Sequence, residues 1–111
     1  MRSLYSCNQA MLRRAYRKAR RTIRYFRRRC PRFSVPKEDL RVAVFTHCLR
    51  GIKVSALVEW HAVKACGSSI VPQARRNPGL GVSRLGAILH EVEARLEFYD
   101  KYHPNQVIPT A

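Results

Sequence analysis

The chain has 111 residues and a formal net charge of +15, a length that allows one small domain and little more. Its hydrophobic fraction of 46% supports a modest core and excludes wholesale disorder, and no apolar run reaches the roughly 18 residues a membrane span needs. The charge is concentrated: residues 1–37 hold 13 of the 22 Lys and Arg and no acid, while the other 74 residues carry nine bases and seven acids.

An acid-free cationic end implies a polyanionic partner, whether nucleic acid, an anionic membrane surface or an acidic protein. It is also how mitochondrial presequences read. No secretory apolar region follows Met1, so secretion is not expected.

In chain order, the first predicted helix runs from about Gln9 to Arg29, within a basic segment over 9–30. Leu12, Tyr16, Ala19, Ile23, Phe26 and Cys30 recur at alternating spacings of four and three, the seam of an amphipathic helix, and Ala15 widens it. Asn8 is the expected N-cap and Pro31 the stop. Arg27, Arg28 and Arg29 fall in the last turn, where they complement the macrodipole. The middle helices are expected over 34–66. In "FSVPKEDLRVAVFTHCLRG", Ser34 is the expected cap, with Pro36, Glu38 and Asp39 in the first turn. Leu40, Val44, Phe45, Cys48, Leu49 and Ile52 form its apolar face, and Gly51 interrupts or ends it. "VSALVEWHAVKAC" (54–66) is the third helix, with Leu57, Val58 and His61 on one face, Trp60 on another, and Gly67 at its end. Residues 67–82 read as a loop on their Pro and Gly content. Ser83 then caps a last helix over 83–102, with Leu85, Ile88, Leu89, Val92, Leu96 and Tyr99 on its apolar face. Pro104 opens a tail over 103–111. The expected fold is a single all-α domain, a small three- to four-helix bundle.

Chemistry-bearing motifs are sparse. Cys7, Cys30, Cys48 and Cys66 show neither CxxC nor twinned spacing, so four thiols in a reducing compartment are expected, the cytosol or the mitochondrial matrix. Cys48, His61 and Cys66 with Cys30 as a fourth ligand give C-x12-H-x4-C, which matches no compact zinc pattern, and no metal is expected. "GIKVSALVEW" has the rhythm of a helix-turn-helix, but Arg50 stands where that motif buries an apolar residue. "GLG" (79–81) is too short for a phosphate loop. The histidines have no carboxylate or nucleophile arranged beside them, so an enzyme is not expected.

The decisive stretch is "AYRKARRTIRYF" (15–26), which holds no acid. A solvated face normally mixes charge signs, because like charges three or four residues apart cost a few tenths of a kcal/mol each. Here Arg13, Arg17, Arg20 and Arg24 stand at such spacings. On a helix, Tyr16 and Ile23 face inward while Arg17 and Arg21 share a flank.

The pattern Y-R-x3-R-x4-F, carried by Tyr16, Arg17, Arg21 and Phe26, resembles the LYR-motif proteins, small basic helical mitochondrial proteins whose first helix opens with Leu-Tyr-Arg. Ala15 replaces the Leu, and Arg20 sits where a Leu is common. "ILHEVEARLEFYDKYHPNQVIP" (88–109) is similar to the Glu-rich helix and tail of LYR accessory subunits in the distal membrane arm of respiratory complex I; Glu91, Glu93, His103, Pro104, Ile108 and Pro109 carry that likeness. Residues 27–83 match the family poorly.

The resemblance implies a non-catalytic accessory subunit of complex I, peripheral on the matrix side of the inner membrane. Its partner would be mitochondrial acyl carrier protein, whose acyl-4'-phosphopantetheine chain enters the helix bundle. By the resemblance, Tyr16, Arg17, Arg21 and Phe26 meet the carrier, with Arg13, Arg14, Lys18, Arg20 and Arg24 as electrostatic support. Leu12, Ala15, Ala19 and Ile23 would line the acyl groove. Residues 1–29 would be retained after import, since they hold this seam. The rival readings are an RNA-binding basic helical protein, mitochondrial ribosomal or viral, and a LYR subunit of another mitochondrial assembly. For RNA, phosphate contacts would use the same cations, but Tyr16, Tyr25 and Phe26 are few for base stacking.

Overall fold

A computed structural model describes residues 4–72 and 82–102. Within them the chain forms four α-helices: α1 (Gln9–Arg29), α2 (Lys37–Arg50), α3 (Val54–Cys66) and α4 (Val82–Tyr102), with short 3-10 turns at Leu4–Ser6 and Ser68–Ile70. No strand occurs among the described residues. The fold is the all-α bundle that the apolar spacing predicts.

α1 begins as its sequence dictates. The Asn8 side chain accepts a hydrogen bond from the Met11 backbone N–H, satisfying one of the orphan donors of the first turn. It ends at Cys30, whose N–H still reaches the Phe26 carbonyl, and Pro31 cannot continue the ladder. Leu12, Ala15, Tyr16, Ala19, Ile23 and Phe26 are all buried, against α3 and α2.

α2 departs from the expectation at both its start and its faces. Its cap position is Pro36, with no side-chain cap bond, and Ser34 lies outside the helix. The acidic first turn, Glu38 and Asp39, faces the positive helix end without a capping hydroxyl. Its burial also exceeds the one-sided stripe expected: Val42, Ala43, Val44, Phe45, Thr46, Cys48 and Leu49 are all buried. The reason is position, since α2 packs against α1, α3 and α4 and is the central helix. The buried Thr46 hydroxyl donates to the Val42 carbonyl at 2.7 Å, so it leaves no orphan polar atom. At the end of α2, Gly51 takes a left-handed conformation (φ 70°) that a side chain would strain. The His47 Nδ1–H donates to the Ile52 carbonyl across that turn, at 2.8 Å.

α3 keeps its expected bounds. Val54, Leu57, Val58 and Ala62 are buried, while His61 is half-buried beside Trp60. The α2–turn–α3 unit therefore has a short connection of helix-turn-helix length, but α3 spends one face on the core and Arg50 reaches Glu91 on α4 at 3.5 Å. The segment after α3 is more than a loop: Ile70 and Val71 are core residues, each 6% exposed. The "GLG" stretch and the tail residues His103, Pro104, Ile108 and Pro109 lie outside the described residues.

α4 starts at Val82, so Ser83 stands inside its first turn and not at the cap. Leu85, Leu89, Val92, Leu96 and Tyr99 are buried and Ile88 half-buried. Gly86 lets α4 approach α3: a Cβ at this position would stand 3.3 Å from Trp60 Cζ2, close enough that the indole would have to give by a few tenths of an ångström. A bidentate pair fastens α4 to α2, with Arg41 Nη1 and Nη2 donating to the Asp100 carboxylate at 2.6 and 2.9 Å.

The cysteines are the main correction. Cys30 and Cys66 form a disulfide that joins the C-terminal ends of α1 and α3, with Cα atoms 6.6 Å apart, inside the range a bridge permits. Cys48, buried on α2, and Cys7, half-buried, stand outside that bridge. The thiol set imagined for a metal is thus divided, and among the described residues no group of metal-ligating side chains comes together. No described helix is long and apolar enough to cross a membrane.

Candidate partner-docking face

The residues singled out on α1 separate into two populations. At 100° per residue, the seam from Leu12 to Phe26 covers about 100° of the helix, and the ten cations cover about 200° of the remainder. Arg13, Arg14, Arg17, Lys18, Arg20, Arg21, Arg24, Arg27, Arg28 and Arg29 are all exposed. From Arg13 to Arg29 they run for about 24 Å along the axis. Arg17 and Arg21 lie nearly opposite the seam.

Nothing acidic stands on this helix. The acids of the described chain belong to α2, α3 and α4, and the ion pairs Arg41–Asp100 and Arg50–Glu91 join α2 to α4. Local contacts on α1 hold several guanidinium groups in place. Arg13 donates to the Gln9 side chain at 3.1 Å, and Arg27 Nε donates to the Phe33 carbonyl at 3.2 Å. The Arg29 guanidinium lies 4.2 Å from the Tyr25 ring centroid, and that of Arg20 lies 5.5 Å from the Tyr16 ring. Only Arg27, Arg28 and Arg29 sit in the last turn, where the helix dipole itself favours positive charge. The cations from Arg13 to Arg24 lie outside that last turn and gain nothing from the dipole there.

Tyr16 and Phe26 do not share this surface. They are 2% and 1% exposed and belong to the core, together with Leu12, Ala15, Ala19 and Ile23. The residues assigned to partner contact are therefore brought together only in part: seven cations on the outside, two aromatics within. The four assigned to an acyl groove are packed core residues, and Ala19 has no exposed surface at all. A chain entering there must part α1 from α2 and α3.

One atom in this seam is out of keeping with it. The Tyr16 hydroxyl oxygen is buried without a hydrogen-bond partner, an arrangement that costs about 1–3 kcal/mol. Burial raises the Tyr16 pKa, against the opposing pull of Arg41 and Arg20, so the phenol is held neutral and available as a donor. Arg41 itself is held charged, its pKa raised chiefly by the hydrogen bond to Asp100, and its Nε is also buried without a partner. Sequence reasoning missed Arg41, because its partner lies 59 positions away and no local pattern links the two.

Compared with family models, with curated proteins and with solved structures, the chain matches none.

Proposed function

We propose that the chain is a LYR-like, non-catalytic accessory subunit that docks an acidic helical partner, acyl carrier protein, on the outer face of α1. The observation that carries the reading is the pairing of an acid-free cationic face with an apolar seam beneath it that is narrowed at Ala15 and Ala19. Ten like charges on one helix cost stability in isolation. An opposing acidic helix would turn that cost into attraction, which steers the encounter and fixes its register.

The seam supplies the second half of the reading. Ala15 and Ala19 are the small residues of the seam, so parting α1 from its neighbours uncovers apolar walls with room beside these two positions. An acyl chain buried there would recover roughly 0.8 kcal/mol per methylene. The Tyr16 hydroxyl offers a hydrogen bond to a polar prosthetic arm, one that the closed bundle does not satisfy. In this reading Arg17 and Arg21 bind the carrier directly, while Tyr16 and Phe26 shape the interior that its chain enters. The setting is a mitochondrial assembly of the complex I type, with the chain peripheral on the matrix side of the inner membrane.

The test is a titration of the full chain with unmodified, phosphopantetheinylated and acylated carrier protein, alongside a single-stranded RNA of matched charge. The expected ranking puts the acylated carrier first, with affinity falling as salt rises. Tight RNA binding with a steep salt slope, and no carrier binding in any form, would overturn the reading in favour of a nucleic-acid partner.

A further inference from the structure

The disulfide is not a core strut. It lines an open cleft of about 560 Å³ at the end of the bundle, together with Arg29, Arg32 and Ser69. Cys30 and Cys66 are each half-buried and both line the cleft, and Arg29 and Arg32 are exposed on its rim. Among the described residues no acid lines the cleft. The rim is also held in shape: Arg29 lies over the Tyr25 ring, and Arg27 ties the 30–33 turn back to α1 through the Phe33 carbonyl.

Charge decides what such a cleft admits. Thiol–disulfide exchange passes through a transition state with negative charge spread over three sulfurs. Cys30 caps α1 and Cys66 is the last residue of α3, so both sulfurs stand at helix C-termini, whose partial negative charge opposes a thiolate. The guanidinium groups of Arg29 and Arg32 offset that field, and they attract a nucleophile carrying carboxylates more than one carrying an amine.

We propose that Cys30–Cys66 is a thiol–disulfide exchange site for small anionic thiols, the carboxylate-bearing peptide thiols. The thiolate sulfur attacks one cysteine Sγ and the cysteine S–S bond breaks. The other cysteine leaves as a thiolate and takes a proton from water, leaving a mixed disulfide on the protein. A second thiolate attacks that mixed disulfide and releases the small-molecule disulfide. Across both steps two external thiols are oxidised and the protein disulfide is reduced by two electrons, with two protons ending on Cys30 and Cys66. The step unfastens the end of α1 from α3. It is independent of what docks on the cationic face.

The experiment exposes the oxidised full chain to reduced glutathione, 2-mercaptoethanol and cysteamine. Intact-protein mass spectrometry follows the mixed disulfide, and each rate is expressed per thiolate. The anionic thiol is expected to react about tenfold faster than the cationic one, with the neutral thiol between them. The ranking should flatten in high salt and in the doubly substituted Arg29→Glu/Arg32→Glu protein, whose helicity is checked by circular dichroism. If that variant is unfolded, Arg29→Gln and Arg32→Gln give the same comparison singly. Adducts should map to Cys30 or Cys66. Equal rates for the three thiols, or exchange that appears only in denaturant, would overturn the proposal.

Discussion

α1 and α4 are each 21 residues long, and each buries one apolar stripe against the same central helix. Their charges follow opposite rules. α4 mixes Glu91, Glu93, Glu97 and Asp100 with Arg84, Arg95 and Lys101, and two of its acids reach arginines of α2. α1 carries ten cations and no acid. Two acids of α4 fasten the helix to α2, and the others stand among bases of the same helix, so its charges are nearly balanced. Those of α1 repel one another, and no acid stands on the helix to offset them, which is why we read them as serving a partner. The two helices are also held differently, α1 by a disulfide and its seam, α4 by a stripe of equal span and two ion pairs.

The largest effect expected from breaking this contrast lies in the covalent link. The disulfide spans a sequence separation of 36, and closing a loop of that size stabilises the fold by about 4 kcal/mol in the chain-entropy account. Cys30→Ser should lower the thermal midpoint accordingly, measured against the oxidised parent. An unchanged midpoint would mean that α1 is held by its seam alone. Ala19→Trp should follow, at about 1–3 kcal/mol, since overpacking a fully buried alanine forces shifts in α2 and α3. Denaturant unfolding measures it, and a neutral result would show that the seam yields readily to added bulk.

On α4, Asp100→Asn should cost about 1 kcal/mol, because the pair is bidentate but Asp100 is 48% exposed and screened by solvent. Its pH dependence has a definite sign. The hydrogen bond from Arg41 lowers the Asp100 pKa in the folded state. Its stabilisation is therefore complete above the unfolded aspartate value near 4 and is lost as pH falls through the lower folded value. Asp100→Asn should remove that acid-side slope. The smallest effect belongs to His61, whose pKa is lowered by burial, against the pull of Asp39. It should add a shallow loss of stability as pH drops below about 6.5, absent in His61→Asn.

The parts of this fold that were legible in the sequence are those with local causes. Asn8, Pro31, Gly51 and Gly67 mark helix ends through single-residue geometry, and the seam of α1 is readable because only one of its faces is buried. α2 is harder, since burial on nearly every side erases the periodicity that a one-faced helix shows. Ile70 and Val71 sit in a stretch whose composition reads as loop, and only the packing reveals them as anchors. Cys30 with Cys66 and Arg41 with Asp100 are brought together by tertiary topology, which spacing does not encode. For the candidate site, the cationic face was legible because a missing charge sign is a property of composition. Tyr16 and Phe26 were legible as interior residues from the seam spacing, and the structure buries both, so it is their assignment to direct partner contact that the closed bundle does not display.

The central claim is that the cations of α1 serve an external acidic partner while the charges of α4 serve the fold. It is tested most directly by calorimetric binding of acylated carrier protein to two charge-reversed proteins, Arg17→Glu/Arg21→Glu on α1 and Glu93→Lys/Glu97→Lys on α4, each with its thermal midpoint measured. The account predicts that the α1 pair weakens association by about 2–5 kcal/mol, much of it in the on-rate, with little change in midpoint, and that the α4 pair leaves association intact. Equal affinity for the α1 pair and the parent would contradict it.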